Sequence, residues 1–207
     1  PTRLLSPEDE FDLEARKRSV TIYLPDKMIP MFPPELATGP MSLRQGHKCC
    51  ALSFGVILDA NGAVAEYQIA TSTIEPTYRL TYEDVEEMLQ LRIPAEVEIE
   101  SLATAAKLRN RWRLSQGSIN INMPESTVKV IAGEVSINLI EDNRARRLVA
   151  EMMILAGEVA AKYGQDNSLP LPYRGQPQPE LPPEEELILI PVGPARSCAI
   201  RRCMPRS

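Results

Sequence analysis

Carboxylates are the side chains with most potential for chemistry in this 207-residue sequence, but their positions do not favour catalysis. A carboxylate-rich metal site needs several acids that converge on one point. Here the acids fall where helices are predicted to begin, as at Asp9 and Asp84, or in the run 184–186, and no compact aspartate cluster is present. A nucleophile motif, a Walker loop and a GxGxxG motif are also missing. We therefore predict that these acids are structural.

The basic stretch 107–113 is a second candidate, because Lys107, Arg109, Arg111 and Arg113 surround Trp112. Basic side chains beside an aromatic ring can hold a phosphate backbone and stack a base. The alternative is a solvated helix face with a tryptophan in the core. A net charge of -5 argues against strong phosphate binding by this chain alone. Both interpretations stay open at this point.

Cysteine and histidine are too few to indicate a metal or disulfide site. Cys49 and Cys50 are adjacent, Cys198 and Cys203 are distant from them, and no CxxC motif occurs. Adjacent cysteines are poor disulfide partners, so reduced thiols are expected, and the Cys49-Cys50 pair is predicted to lie in the core. With His47 as the single histidine, a Cys/His zinc site is not favoured.

The first forty residues predict a helix, a strand and a loop. Ser6 is a candidate N-cap with Pro7 at the first helical position, and the helix should run to about Lys17. A strand is expected at residues 20–24. The stretch 25–40 contains five prolines and is predicted to be an extended loop.

Two hairpins follow from alternating apolar residues. Leu52, Phe54, Val56 and Leu58 alternate before a turn at residues 59–62, and Ala65, Tyr67 and Ile69 continue the pattern. The second hairpin is predicted from Val128 and Val130 and from Val135, Ile137 and Leu139, joined through residues 132–134.

Three further helices are predicted near residues 80–89, 95–114 and 143–163, the last ending with Gly164 as a left-handed cap. Leu148, Met152, Leu155 and Val159 should face the sheet. A Pro- and Glu-rich connection follows at residues 170–186. The fold class is therefore α+β, with a mixed or antiparallel sheet and packed helices. The longest apolar stretch, near residues 152–156, is too short to cross a membrane.

Several motifs, in order along the chain, resemble one family. They are TIYLP (residues 21–25), IPMFP (29–33), MSLR (41–44), RLTYEDV (79–85), RLSQG (113–117) and RLVAEMM (147–153), which resemble the catalytic RNB domain of RNase II and RNase R enzymes. YRGQP (173–177) and GPAR (193–196) resemble its cyanobacterial and chloroplast branch. Residues 1–207 are accordingly expected to be part of a single RNB domain, cut at both ends, from a cyanobacterial cytoplasm or chloroplast stroma.

The resemblance implies a Mg²⁺-dependent exoribonuclease that hydrolyses single-stranded RNA processively from the 3′ end to nucleoside 5′-monophosphates. In the family, aspartates that hold Mg²⁺ precede the segment that matches residues 2–5, and a functional arginine follows the segment that matches the end of this chain. Cold-shock and S1-type domains flank the catalytic domain. The resemblance therefore places catalytic residues and metal ligands outside this chain, which would supply part of the RNA-channel wall and be inactive alone.

Four substrate-binding positions are implied by the same resemblance. Tyr23 matches a tyrosine that stacks on a base near the 3′ end, and Tyr82 matches one near the sugar that is linked with preference for ribose. Ile121 stands where the family has an aromatic that completes the base clamp. Glu151 is the second member of a Glu-Glu pair whose first member is replaced by Ala150.

The departures at Ile121 and Ala150 leave an alternative open. The parent protein would then be an RNB-derived RNA-binding or assembly protein with weakened or lost nuclease activity. Four closely spaced aspartates encoded immediately upstream of Pro1 would favour the enzyme, and their loss would favour the alternative.

Overall fold

The computed structural model describes residues 4–91, 97–121, 123, 125–140, 142–174 and 179–204. Within these ranges the helices are α1 (Glu10–Arg18), α2 (Pro34–Ala37), α3 (Tyr82–Leu91), α4 (Val97–Ser115), α5 (Arg144–Asp166), α6 (Glu184–Ile188) and α7 (Pro194–Cys203). The strands are β1 (Ile22–Tyr23), β2 (Met28–Ile29), β3 (Cys49–Leu58), β4 (Val64–Ile74), β5 (Glu125–Ile131) and β6 (Glu134–Ile140). They form three two-stranded sheets, β1-β2, β3-β4 and β5-β6. The predicted α+β class is confirmed.

The chain forms two compact units. The first unit comprises Pro1–Ser53, Ala70–Leu80 and Ser126–Asn138, and the second comprises Phe54–Ile69, Thr81–Glu125 and Leu139–Ser207. The second unit contains all of α3, α4 and α5.

In the first unit, α1 begins later than the sequence predicts. Asp9, not Ser6, is the N-cap, and its carboxylate accepts a 2.7 Å hydrogen bond from the Asp12 N–H. The Ser6 N–H donates to the same carboxylate at 2.9 Å. Glu8 has a φ of 70°, so the backbone turns sharply just before the cap. The predicted cap was wrong because the carboxylate of Asp9, three residues further on, forms charge-assisted hydrogen bonds with the backbone.

Residues 20–40 hold more regular structure than predicted. β1 and β2 are antiparallel, with Ile22 opposite Ile29 and Tyr23 opposite Met28. The Leu24 N–H donates to the Lys27 carbonyl at 2.8 Å and closes the turn between them. The predicted strand is therefore only two residues long, and the Pro-rich loop contains β2 and α2, whose first residue is Pro34.

Both predicted hairpins are confirmed. Asp59 Oδ1 accepts from the N–H groups of Asn61 and Ala63 at 2.9 and 2.8 Å, and Gly62 has a φ of 95°. In the second hairpin Ala132 and Gly133 have φ values of 53° and 85°, as a two-residue turn between twisted strands requires. The alternation of apolar residues in β3 predicts that Leu52, Phe54, Val56 and Leu58 share one buried face. That prediction is partly wrong, because the Leu52 side chain is exposed.

In the second unit, α5 packs against α3 and α4 and forms the core. Its buried side chains include Ala145, Leu148, Leu155 and Val159, while Met152 is half-buried. The expectation that this face meets a sheet is therefore corrected, since its main partners are helices. Thr81 and Asp84 form the expected capping box of α3, with hydrogen bonds of 2.7 and 3.1 Å.

Gly164 does not end α5, which continues to Asp166. The glycine is buried, and a Cβ added there would lie 2.5 Å from Leu171 Cδ1. Gly164 is needed for close approach of the following segment, and the prediction of a left-handed cap was wrong.

Two features of the remaining chain differ from expectation. The Cys49 side chain is buried as predicted, but the Cys50 side chain is exposed. α7 was not predicted from the sequence; it begins at Pro194, directly after Gly193. Among the described residues, no helix is long and apolar enough to span a membrane.

Candidate functional site

Tyr23, in the first unit, is a strongly exposed aromatic residue. It lies in β1 at the start of the turn to β2, and 78% of its surface is accessible. A tyrosine ring normally buries much of its surface in packing. This ring therefore presents its face to solvent, where it can accept a stacking partner.

Glu151, in the second unit, is a buried carboxylate that accepts hydrogen bonds through only one of its two oxygen atoms among the described residues. It lies on α5 with 6% exposure, and its Oε1 atom accepts from Asn110 Nδ2 at 2.9 Å and from Arg113 Nη1 at 2.7 Å. Asn110 and Arg113 are three residues apart on α4 and so share one face of that helix. The Oε2 atom is buried and has no hydrogen-bond partner among the described residues. The site thus offers one unused charged acceptor.

The turn after α4 adds a second buried polar atom. The Ser118 N–H donates to the Arg113 carbonyl at 3.0 Å, so the chain closes over the end of α4 where Gly117 has a φ of 89°. The Ser118 Oγ atom is buried and has no partner in the described part of the chain. Buried polar atoms without a partner are uncommon in folded proteins, and a functional role is one of the explanations for them.

Tyr82 contacts an arginine rather than another predicted site residue. It is the first residue of α3, and the guanidinium carbon of Arg146 lies 4.2 Å from the centre of its ring. This spacing is that of a cation–π contact. Arg146 is half-buried, and its Nε atom is buried without a hydrogen-bond partner within the described residues.

Glu86, in the middle of α3, holds this helix to the beginning of α5. Its carboxylate accepts from the Arg144 N–H at 2.9 Å, the Ala145 N–H at 3.3 Å and Arg144 Nε at 2.7 Å. Burial raises the pKa of Glu86, but the hydrogen bonds and charge of Arg144 and the Ala145 N–H outweigh it and set the pKa below the ordinary value. A charged Glu86 therefore stabilises the N-terminus of α5.

The Tyr82–Arg146 contact and Glu151 project from different sides of α5. Arg146 and Glu151 are five residues apart, which corresponds to about 140° around a helix. No hydrogen bond or ion pair joins Tyr82 to Glu151 among the described residues. The structure therefore places these two predicted site residues in one unit without bringing their side chains together.

Ile121 is half-buried in the segment between α4 and β5. Residues 122 and 124 beside it lie outside the described residues. Nothing in its surroundings tests the predicted contact with a base, which stays a prediction.

The basic stretch 107–113 is largely structural. The Arg109 side chain is fully buried; it donates to Glu158 and to the Gly62 carbonyl, and it lies 4.4 Å from the centre of the Trp112 ring. Arg113 is committed to Glu151. Of the four cations, Lys107 and Arg111 are exposed. The interpretation of this stretch as a phosphate-binding face therefore does not hold for Arg109 and Arg113, which are already paired with Glu158 and Glu151.

Sequence reasoning missed Asn110, Ser118 and Arg146 as parts of the site, and it considered Arg113 for phosphate binding rather than for its contact with Glu151. The spacing of Asn110 and Arg113 was a usable signal, because two polar residues three apart inside a helix share a face that must find partners. Arg146 gave no local signal, since its partner Tyr82 is distant in the sequence.

The described residues do not fit a metal ion. No group of three or more His, Cys, Asp or Glu side chains is arranged to bind one within the described ranges. The atoms around Glu151 are hydrogen-bond donors from Arg113 and Asn110, which would repel a cation.

The acids predicted to be structural include helix caps. At Asp84, the hydrogen bond that the carboxylate accepts from the Thr81 backbone N–H lowers the pKa of the aspartate.

Comparison with known proteins identifies similar sequences. The profile of the RNB domain family matches residues 1–191. The chain is 65% identical over 208 residues to an uncharacterized ribonuclease of Synechocystis sp., covering 100% of this chain and 31% of that protein. It is 43% identical over 210 residues to the chloroplastic/mitochondrial ribonuclease II of Arabidopsis thaliana, covering 99% and 26%. The chain thus spans about a third or less of the length of these relatives.

Solved structures share the fold. Mycoplasma genitalium RNase R in complex with ribose methylated single-stranded RNA matches with a TM-score of 0.79 at 22% identity, over 91% of this chain and 30% of that one. The yeast pseudonuclease Ssd1 matches with a TM-score of 0.73 at 17% identity, over 99% and 29%. At these identities the likeness concerns the fold alone.

Proposed function

Because the chain belongs to the RNB domain family, whose relatives here are ribonucleases, we propose that it is the RNA-contacting part of a 3′–5′ exoribonuclease. The parent protein would hydrolyse single-stranded RNA processively to nucleoside 5′-monophosphates. In this proposal the chain binds and orients RNA, and bond cleavage takes place on residues outside it.

The buried Oε2 atom of Glu151 is the observation that carries the proposal. Arg113 and Asn110 fix the carboxylate through Oε1, so Oε2 is held in place as a charged acceptor. Oε2 is closed to solvent in this structure, so a ribose 2′-OH would reach it only after the covering side chains move. It would then donate to Oε2, whereas deoxyribose lacks that hydroxyl. A buried acceptor left without a donor costs about 1–3 kcal/mol. Glu151 can therefore favour RNA over DNA.

Tyr23 supports a sequence-independent grip on the strand. Every base has a π face, so stacking on an exposed tyrosine tolerates any sequence, as a general RNA-degrading enzyme requires. Its 78% exposure makes the ring available for this contact. Ile121 could press on a base, but without a π system it would hold it more weakly than an aromatic.

Other elements of the proposal concern the parent protein. Mg²⁺ would be held by aspartates outside the described residues, where it would polarise the scissile phosphate. Cold-shock and S1-type domains would deliver single-stranded RNA. The relatives from a cyanobacterium and from plant organelles support a cyanobacterial cytoplasm or chloroplast stroma as the location, and no role at a membrane is proposed.

A second candidate function is supported by the fold shared with a yeast pseudonuclease. The parent would then bind RNA or assist assembly with weakened or lost nuclease activity. Ala150, where the family has a glutamate, and Ile121 fit that reading. The RNA-binding form of this candidate shares RNA binding by this chain with the first candidate, and the two differ in catalysis by the parent.

Incubation of the chain with a 5′-labelled oligoadenylate, with and without Mg²⁺, tests the proposal. We expect saturable binding without release of nucleotides, and 3′-end shortening to monophosphates only by the full-length parent in Mg²⁺. Absence of RNA binding would contradict the proposed function. Turnover by the chain alone would contradict the placement of the metal ligands, and an inert parent would favour the pseudonuclease.

A further inference from the structure

Three arginines in the first turn of α5 differ in one respect. Arg144 forms an ion pair with Glu86 at 2.7 Å, and Arg147 forms one with Asp142 at 2.6 Å. Arg146 lies between them and has no carboxylate partner among the described residues. Its guanidinium instead makes a cation–π contact with the Tyr82 ring. The unpaired arginine is thus the one that lies beside a predicted substrate-binding residue.

The next turn of α5 explains why Arg146 is unpaired. Ala150 is four residues after Arg146, so the two side chains are neighbours on the helix surface. Ala150 is exposed and offers no acceptor. A glutamate at this position, as in the family pattern that the sequence resembles, would lie within reach of the guanidinium. Its replacement by alanine leaves a positive charge uncompensated next to Tyr82.

The stacked geometry leaves the guanidinium ready to bind an anion. The guanidinium carbon lies over the Tyr82 ring, and the two Nη groups make no hydrogen bond with the described residues, whereas Nε is buried. The Nη donors match the oxygens of a phosphate, which an arginine can bind bidentately. Stacking on Tyr82 also restricts the arginine rotamers, so that less conformational entropy is lost on binding.

We propose that Arg146, stacked on Tyr82 and left unpaired by Ala150, binds a backbone phosphate of single-stranded RNA. This inference rests on the proposed function and adds to it a phosphate contact made by Arg146. Tyr82 then serves two purposes: one ring face orients Arg146, and the hydroxyl remains for the adjacent sugar. With alanine at position 150, one carboxylate is lost and Arg146 stays unpaired. The contact of Arg146 with an RNA phosphate would partly compensate for that lost carboxylate.

Fluorescence anisotropy with a labelled 12-nucleotide oligoadenylate, measured across a series of salt concentrations, tests the proposal. Loss of one phosphate contact on a single strand should reduce the salt slope by about 0.7, and so weaken binding about fivefold at 0.1 M salt. We expect this change for Arg146→Gln. Arg147→Gln is the matched control, since it removes the same charge from an arginine already paired with Asp142, and it should leave the slope nearly unchanged.

Ala150→Glu provides an independent variant that keeps Arg146. The new carboxylate should pair with the guanidinium one turn away and reduce the salt slope as Arg146→Gln does. Circular dichroism should show folded protein in every variant, because Arg146 makes no ion pair whose loss would unfold α5.

The outcomes separate the inference from the function on which it rests. Equal salt slopes for the wild type, Arg146→Gln and Arg147→Gln would overturn the phosphate contact while RNA binding by the chain still stands. Failure of the wild type to bind the oligoadenylate at low salt would overturn the proposed function and the phosphate contact together.

Discussion

The guanidinium of Arg109 is fully buried and donates to the carboxylate of Glu158, so that α4 and α5 are joined by an ion pair inside the second unit. The same guanidinium donates to the Gly62 carbonyl in the turn of the β3-β4 hairpin. A buried cation is costly to desolvate unless it is paired. The two contacts satisfy both terminal nitrogens of Arg109, whereas its buried Nε atom has no hydrogen-bond partner among the described residues. This pair therefore holds the helix that carries Asn110 and Arg113 in place against the helix that carries Glu151.

Glu158→Gln should destabilise the chain by about 3 kcal/mol, because it leaves the buried Arg109 charge without its counter-ion. Asp142→Asn is the matched control: its partner Arg147 is 63% exposed, and exposed pairs contribute less than about 1 kcal/mol. The free energy of unfolding from chemical denaturation measures both. Equal losses in the two variants would contradict a structural role for the buried pair.

The stability provided by Glu86 should depend on pH. Its pKa in the folded chain lies below the ordinary value of 4.5, so its contribution is fully present above that value and is lost as the pH falls through the lower folded pKa. The difference in unfolding free energy between the wild type and Glu86→Gln should therefore be constant near neutral pH and shrink in acid. A difference that stays the same down to pH of about 3 would contradict the assignment.

Local signals predicted much of the fold. The Asp59–Gly62 turn and the Thr81 capping box were predictable, because each is determined by residues within four positions of one another. Gly164 was misread because its local sequence resembles a helix end, while the residue that requires a glycine there is Leu171, which folds back over it. A pattern of neighbouring residues does not predict the contact between Gly164 and Leu171.

The candidate site was predictable only in part, for the same reason. Tyr23, Tyr82 and Glu151 were named from the family resemblance, which carries information on residues distant in sequence. The sequence left the role of Arg109 open, because its burial depends on Glu158, 49 residues away. The contact between Arg146 and Tyr82 likewise exists only after α3 and α5 have packed together.

Tyr23→Ala should weaken binding of a 12-nucleotide oligoadenylate at least about fivefold, since base–aromatic stacking contributes roughly 1–3 kcal/mol per base. Tyr78→Ala is the control, because Tyr78 is another exposed tyrosine of the first unit with 55% of its surface accessible. Anisotropy titrations measure both variants. In an active parent, Tyr23→Ala should also lengthen the final undegraded product; equal affinities for the two variants would contradict stacking at Tyr23.

Glu151→Gln is designed to remove the unused acceptor and little else. The amide oxygen of glutamine can stay with Arg113 and Asn110, which places the NH₂ group where Oε2 lies in the wild type. Glu87→Gln removes the same charge from an exposed residue of α3 that makes no hydrogen bond or ion pair with the described part of the chain. Any difference between these variants then reports on the Glu151 site rather than on net charge.

The most direct test of the account is the ratio of affinities for oligoadenylate RNA and its DNA counterpart, measured for the wild type, Glu151→Gln and Glu87→Gln. An acceptor left unsatisfied by deoxyribose predicts a preference for RNA of about tenfold in the wild type and in Glu87→Gln. In Glu151→Gln that preference should fall, and what remains is the part that Tyr82 contributes through the sugar. An RNA preference that survives Glu151→Gln unchanged, or that the wild type never shows, would contradict the account.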